Sequence, residues 1–257
     1  VKRSVAAITD IYQNSILKDS SRNSFMIKRM EDLADRTVWA MGEQLKCGDF
    51  VPFVFEHKFN MEVGDGDRKQ LMSGTIDRVD ICENGTDVYV RIIDYKTGKK
   101  DFNIVKTYYG IDIQLMVYME AAMKLVAKMR PGKNVIPAGV FYYNISDPIV
   151  SATTESAEEI EDKIKGELRL KGMVNSDKDI AEKMDNTGGT SLNIPVSRKA
   201  DGGFDSRRSK VMNTEQFNML GRFVDVRAVD TADRIAGGDI RRSPYKDGQF
   251  SSCDRCP

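Results

Sequence analysis

Val88-Tyr89-Val90-Arg91-Ile92-Ile93-Asp94-Tyr95-Lys96 decides how this chain is read. Its β-branched and aromatic residues favour a strand, and alternation then puts Val88, Val90, Ile92, Asp94 and Lys96 on one face. An apolar stripe therefore ends in an acid and a lysine. Such an acid–lysine pair at a strand end is most often a solvated ion pair. After a run of Val and Ile, however, the charges are desolvated, and desolvated charges persist only with partners or for function. Upstream, residues 71–81 read as a second strand, with Asn84-Gly85 between the two as a hairpin signal. A hairpin symmetric about Asn84-Gly85 puts Asp77 opposite Ile92 and diagonal to Asp94 on the same face. Diagonal neighbours lie about 7 Å apart, close enough for two carboxylates to share a hard cation such as Mg²⁺. A loop of odd length would reverse the parity and send Asp77 to the other face.

Working outward, residues 25–46 carry apolar side chains at helical spacing, and residues 50–59, around Pro52, suit an edge strand. Gly64-Asp65-Gly66-Asp67 reads as a turn. The spacing predicts a helix over 109–129, closed by Pro131-Gly132, an interior strand over 135–145 and a charged helix over 154–171. Residues 172–209 collect Gly, Asp, Ser, Asn and Lys and are expected to be a flexible surface excursion with at most a short hairpin. Helical spacing resumes over 214–236, ended by Gly237-Gly238. The sum is an α/β fold, a central mixed sheet flanked by helices.

Thirty-nine basic and 39 acidic side chains cancel in a chain of 257 residues, so any polyanion must be met by a local patch. No run is long and apolar enough to predict a membrane span. Four cysteines, at 47, 82, 253 and 256, are too few and too uneven for a disulfide framework, which points to a reducing, cytoplasmic setting. No Gly-x-x-x-x-Gly-Lys-Ser/Thr loop is present to bind ATP. The chain stops just after Cys253-Asp254-Arg255-Cys256, half of a usual four-ligand set, and is expected to be a piece of a larger protein.

Three segments together, Gly74-Thr75-Ile76-Asp77-Arg78-Val79-Asp80, Asp94-Tyr95-Lys96-Thr97-Gly98 and Gln114-Leu115-Met116-Val117-Tyr118, resemble the signature of the RecB-like branch of the PD-(D/E)xK nuclease superfamily. Gly110-Ile111-Asp112-Ile113-Gln114-Leu115 and the closing Cys-x-x-Cys-Pro are similar to the nuclease domains of bacterial AddAB (RexAB) B subunits. The resemblance implies a restriction-endonuclease-like fold and Mg²⁺-dependent exonuclease action on single-stranded DNA, with Mn²⁺ able to substitute. It also implies an A subunit as partner in double-strand break repair. Asp77 and Asp94 match the metal-binding carboxylates, the Tyr95 carbonyl is a further ligand, and Lys96 is the active-site lysine. Gln114 and Tyr118 match a helical motif that holds the lysine or a DNA phosphate, and Glu56 stands where relatives often carry an acid.

Two departures from that pattern stand out. Nothing matches the family's metal-binding histidine on an upstream helix; His57, the only histidine, is read as structural. Of the family's four cluster cysteines only Cys253 and Cys256 have counterparts, so a 4Fe-4S cluster is expected only in a full-length protein; Cys47 and Cys82 read as small buried residues. The expected organisation is one nuclease domain over 1–257: helices over 1–48, the catalytic sheet and helix over 50–145, and a C-terminal helix with the truncated cysteine motif over 210–257. Lys99, Lys100, Lys106 and Arg241-Arg242 are candidate backbone-tracking cations, with Phe102, Tyr108 or Tyr109 stacking on bases. Two rival functions remain: a non-catalytic module gripping DNA ends or bracing a partner subunit, and a phosphohydrolase of small nucleotides, which a closed pocket would favour.

Overall fold

The architecture is taken from a computed structural model, which describes residues 1–11, 20–63, 69–151, 155–241, 244–248, 250–251 and 253. The expected turn at Gly64-Asp65-Gly66-Asp67, and also Arg242 and Cys256, lie outside the described residues.

Helices α1 (Lys2–Ile11) and α2 (Ser21–Lys46) precede β1 (Val51–Val63), β2 (Gln70–Asn84) and β3 (Asp87–Lys96). Short α3 (Ile104–Tyr108) and long α4 (Gln114–Met129) lead to β4 (Asn134–Asn144). There follow α5 (Ala157–Glu167), β5 (Lys171–Asn175), α6 (Lys178–Met184), β6 (Val211–Met212), α7 (Thr214–Ala236) and a small β7–β8 pair (Lys246–Asp247, Phe250–Ser251). Six strands form one sheet in the order β1-β2-β3-β4-β5-β6. It is mixed: β3 and β4 run parallel, connected through α3 and α4, whereas β1, β2 and β3 form an antiparallel meander. The expected mixed sheet flanked by helices is the observed fold.

One apolar cluster lies between the sheet and α4 with α7, built on Val79, Val90, Ile92, Leu115, Ala122, Phe217 and Val224. The other holds Tyr89, Ile93, Phe141 and Tyr143 against Ala40 of α2 and Ile180 and Met184 of α6. Among the described residues no helix is long and apolar enough to cross a membrane.

Three sequence expectations are corrected. The helix predicted over 109–129 starts only at Gln114: residues 109–113 link it to the short α3, whose C-cap is Tyr109 and after which Gly110 takes a left-handed φ of 78°. The helix predicted to reach residue 171 stops at Glu167, and Lys171 instead opens β5, which pairs with β4.

The largest correction concerns 172–209, expected to be flexible. It supplies most of β5 to the sheet and α6 to the second cluster, in which Ile194 and Val196 are also buried. Its polar residues misled because they satisfy one another. Asp185, fully buried, accepts hydrogen bonds from the Ser191 hydroxyl at 2.5 Å, the Asn193 amide at 2.9 Å, and both the main-chain N–H and hydroxyl of Thr187. Burial pushes the Asp185 carboxyl up, but these donors outweigh it and hold the group below its ordinary value. The folded-state pKa is thus lower than the unfolded one. The stability it confers is complete above the ordinary aspartate range, near about 4, and is lost as pH falls through the lowered value. Replacing Asp185 by Asn is expected to flatten this acid limb in urea unfolding followed at several pH values; an unchanged limb would show that Asp185 does not tie the segment down.

Candidate active site

The hairpin that builds the site closes differently from the symmetric reading. Asn84 pairs with Asp87 and the two-residue turn is Gly85-Thr86, with Gly85 at φ 59° in the first central position, as a type II′ turn prefers. Ile92 therefore faces Val79, and Arg78 faces Ile93. The register slips by two residues from the expectation, so parity is kept and Asp77 comes level with Asp94 instead of diagonal to it. The last ladder pair is Arg78 with Ile93; beyond it β2 stays with β1 and β3 with β4. Asp77 stands at that parting, where its Oδ2 accepts the Tyr95 main-chain N–H at 2.7 Å.

Asp94 is buried at 2% exposure, beside Tyr142 of β4. Gln114, the first residue of α4, donates its amide to Asp94 Oδ1 at 3.1 Å and to the Tyr118 hydroxyl at 2.9 Å. The Gln-xxx-Tyr pair thus shares a helix face as predicted, but it fixes the carboxylate, not the lysine. Tyr118 is held edge-on against Phe59. The Lys96 ammonium lies 2.6 Å from Asp94 Oδ2, a buried oxygen with no hydrogen bond of good geometry, and sits 5.7 Å from the Tyr142 ring centroid. Burial pushes the Asp94 carboxyl above its ordinary value; Lys96 pulls against it, the Asp77 charge adds to the rise, and Lys100 opposes it. Asp77 thus binds the main chain of the residue that lies between Asp94 and Lys96.

Glu56 sits on β1 between Phe55, which pairs with Arg78, and His57, which pairs with Ile76, and so lies level with Asp77. Its φ of 48° is the only positive value at a non-glycine among the described residues. The apolar faces explain it. On β2 the first cluster takes Val79 and Ile81 but then Ile76 and Met72, which strict alternation does not permit; on β1 it takes Phe53 and Val54, at a register shift, and then Phe59 and Met61. The ribbon therefore changes face between Val79 and Ile76, level with Glu56 and Asp77. A left-handed residue, at about 1–3 kcal/mol, allows that switch beside the parting strands. The Glu56 side chain is exposed.

Tyr95 turns its ring to the opposite face, against Tyr143, and burial pushes its hydroxyl up. There Arg78 donates two hydrogen bonds to Asp80, at 2.6 and 2.8 Å, and Arg91 donates a third at 2.9 Å. All three side chains are buried, so this ion-pair network belongs to the interior. Phe102 is also buried and cannot stack on bases, whereas Tyr108 and Tyr109 are exposed. Met116 and Met119 are core residues, and Met123 packs against the same cluster. His57 is half-buried within β1, and Cys82 is buried while Cys47 is only partly so. Cys253 is exposed and free.

Sequence reasoning undervalued Lys100, Asp112 and Asn144. Lys100 pairs with the buried Asp112 at 2.6 Å, and its main chain is gripped by the Asn144 side chain. An acid inside the apolar run Ile111-Asp112-Ile113 was the available signal.

Among the described residues no group of three or more His, Cys, Asp or Glu side chains is placed to hold a metal ion. Asp77 and Asp94, with the Tyr95 carbonyl, could hold one, water and substrate oxygens completing the shell. That is how Mg²⁺ is commonly bound, in contrast to metals that take all-protein cages.

Comparison with known proteins agrees with this geometry. The B subunit of an ATP-dependent helicase/deoxyribonuclease of Clostridium botulinum (strain Hall) is 36% identical over 252 residues, covering 94% of this chain and 22% of the relative. The corresponding protein of Thermoanaerobacter sp. (strain X514) is 35% identical over 253 residues, covering 94% and 22%. Its counterpart in Caldanaerobacter subterraneus subsp. tengcongensis is 36% identical over 264 residues, covering 98% and 22%. The chain thus spans about a fifth of the length of these relatives. The family model of the PD-(D/E)XK nuclease superfamily matches residues 2–257, nearly the whole chain, and the chain belongs to that superfamily.

Proposed function

We propose that the chain is the nuclease unit of a longer helicase-nuclease B subunit. It would hydrolyse phosphodiester bonds of single-stranded DNA as a Mg²⁺-dependent exonuclease, in double-strand break repair and recombination, beside an A subunit in the cytoplasm. The observation that carries this reading is the meeting of Asp77, Asp94 and Lys96 where β2 and β3 part. The names of the relatives support the deoxyribonuclease and the helicase partner.

Asp77 and Asp94 would hold the cation, with the Tyr95 carbonyl as a further ligand. The ion supplies Lewis-acid polarisation of a non-bridging phosphate oxygen. The chain's own groups do the rest. Gln114 locks one Asp94 oxygen, and the Tyr95 N–H locks Asp77, so both carboxylates are aimed before substrate arrives. Lys96, part-exposed, holds the attacking water and offsets charge that builds on the phosphorane. Tyr118 keeps Gln114 in place, and Glu56 offers an exposed acid at the level of Asp77. Cys253 and Cys256 are two of the four thiolates an iron–sulphur cluster takes, so these residues do not make a cluster site by themselves, and the hydrolysis described depends on none.

Mn²⁺ soaked into crystals is expected between Asp77 and Asp94. Asp77→Asn should weaken Mn²⁺ binding, followed by electron paramagnetic resonance, by at least about tenfold, the loss typical even for outer-shell partners. Manganese bound elsewhere, or equally tightly by the variant, would overturn the assignment. Metal binding without strand cleavage would favour a DNA-gripping module.

A further inference from the structure

A second ammonium stands beside the site, paired like the first with a buried carboxylate. The Lys100 Nζ lies 5.3 Å from the centroid of the Tyr142 ring, and Lys96 Nζ lies 5.7 Å from the same centroid. Lys96 makes its ion pair with Asp94 beside that ring. Yet Lys100 is not paired with Asp94. Its partner is Asp112, 2.6 Å away and only 5% exposed, whereas the Lys100 side chain is 23% exposed.

The backbone of residue 100 is fixed as well. Its N–H donates to Asn144 Oδ1 at 3.0 Å, and its carbonyl accepts from Asn144 Nδ2 at 2.9 Å. Asp112 is itself anchored, since its carbonyl accepts the Thr107 hydroxyl of α3 at 3.0 Å. A lysine ordinarily keeps most of its rotamer freedom, worth about 2 kcal/mol, at a surface. Here that freedom is already spent in the folded chain, and the cation keeps a part-exposed surface. A purely structural ion pair needs neither the opening nor the shared ring.

We propose that Lys100 is a strand-gripping residue: its ammonium takes the backbone phosphate next to the one cleaved, with Asp112 and Tyr142 holding it in position. The inference deepens the proposed function and rests on a single-stranded DNA substrate. Lys96 faces the reacting phosphate, and Lys100 fixes the register of the strand, so the two charges divide chemistry from positioning.

The test is fluorescence anisotropy of a labelled oligothymidylate with the 257-residue chain, in chelator, across a salt series. Lys100→Gln is expected to weaken binding about tenfold at low salt and to reduce the slope of log K against log salt by about 0.7, one phosphate contact on a single strand. Lys100→Arg should keep the slope. Because Lys100→Gln leaves a buried carboxylate alone, the double variant Lys100→Gln/Asp112→Asn is measured beside it and should show the same loss of slope. A slope and affinity equal to wild type in a folded double variant would overturn the proposal. The assay contains no divalent metal and reads Lys100 whether or not the strand is cut. A wild-type protein that binds but never cleaves would therefore sink the nuclease reading and leave this result standing.

Discussion

Asp94→Ala is expected to lower single-strand cleavage by the full-length protein by about three orders of magnitude or more, and Lys96→Ala by roughly 10²–10³-fold, the scale for losing one electrostatic contact to a transition state. Asp94 carries the larger effect because two functions meet on it. One oxygen is fixed by Gln114 and the other is paired with Lys96, and the same carboxylate would help to hold the cation. Stability should move the other way. Burial holds the Asp94 pKa above its unfolded value, so near neutral pH its ionised form opposes folding, and the penalty grows as pH rises through the raised value. Asp94→Asn, which cannot ionise, is therefore expected to melt at or above the wild-type temperature while staying inactive. Cleavage within about fivefold of wild type in both Asp94→Ala and Lys96→Ala would remove these residues from the chemistry.

Asp80→Ala is expected to destabilise the fold by about 3–5 kcal/mol, the cost of leaving a buried charge without its partner. Asp80 is 0% exposed and lies between two guanidiniums that are each 2% exposed. Removing it strands both Arg78 and Arg91 beside the second core cluster. Arg91 also packs over the Phe50 ring at 4.9 Å, so it has no simple route to water. Urea unfolding followed by circular dichroism measures the loss; a cost under about 1 kcal/mol would show that water or rearrangement compensates. Replacing Arg78, Asp80 and Arg91 together by apolar residues of similar volume should recover most of the stability.

These two outcomes separate what was legible in the sequence from what was not. The β3 stripe ending in Asp94 and Lys96 was legible because strand periodicity is rigid, and the helix bearing Gln114 and Tyr118 because its apolar spacing is long and regular. The hairpin register was not, because Asn84-Gly85 and Gly85-Thr86 are both competent turns and only the paired strands choose between them. Arg91, between Val90 and Ile92, carried the same signal as Asp94, a charge in an apolar run. Its partners, Arg78 and Asp80, sit in a segment whose acids resemble a solvated cluster. The segment around Asp185 was misread since its hydrogen bonds join residues that composition alone assigns to loops. The left-handed Glu56 left no trace at all: two strands changing face together look, residue by residue, like ordinary alternation.

Asn144 ends β4, lies opposite Lys96 in the ladder, and clasps both polar groups of the Lys100 backbone. The following N–H, of Ile145, donates to the Lys96 carbonyl at 2.8 Å. Both ammoniums therefore hang from a single yoke. Any shift of that strand end carries them in tandem, so the spacing between the two cations outlasts distortions that would scatter side chains anchored on separate elements.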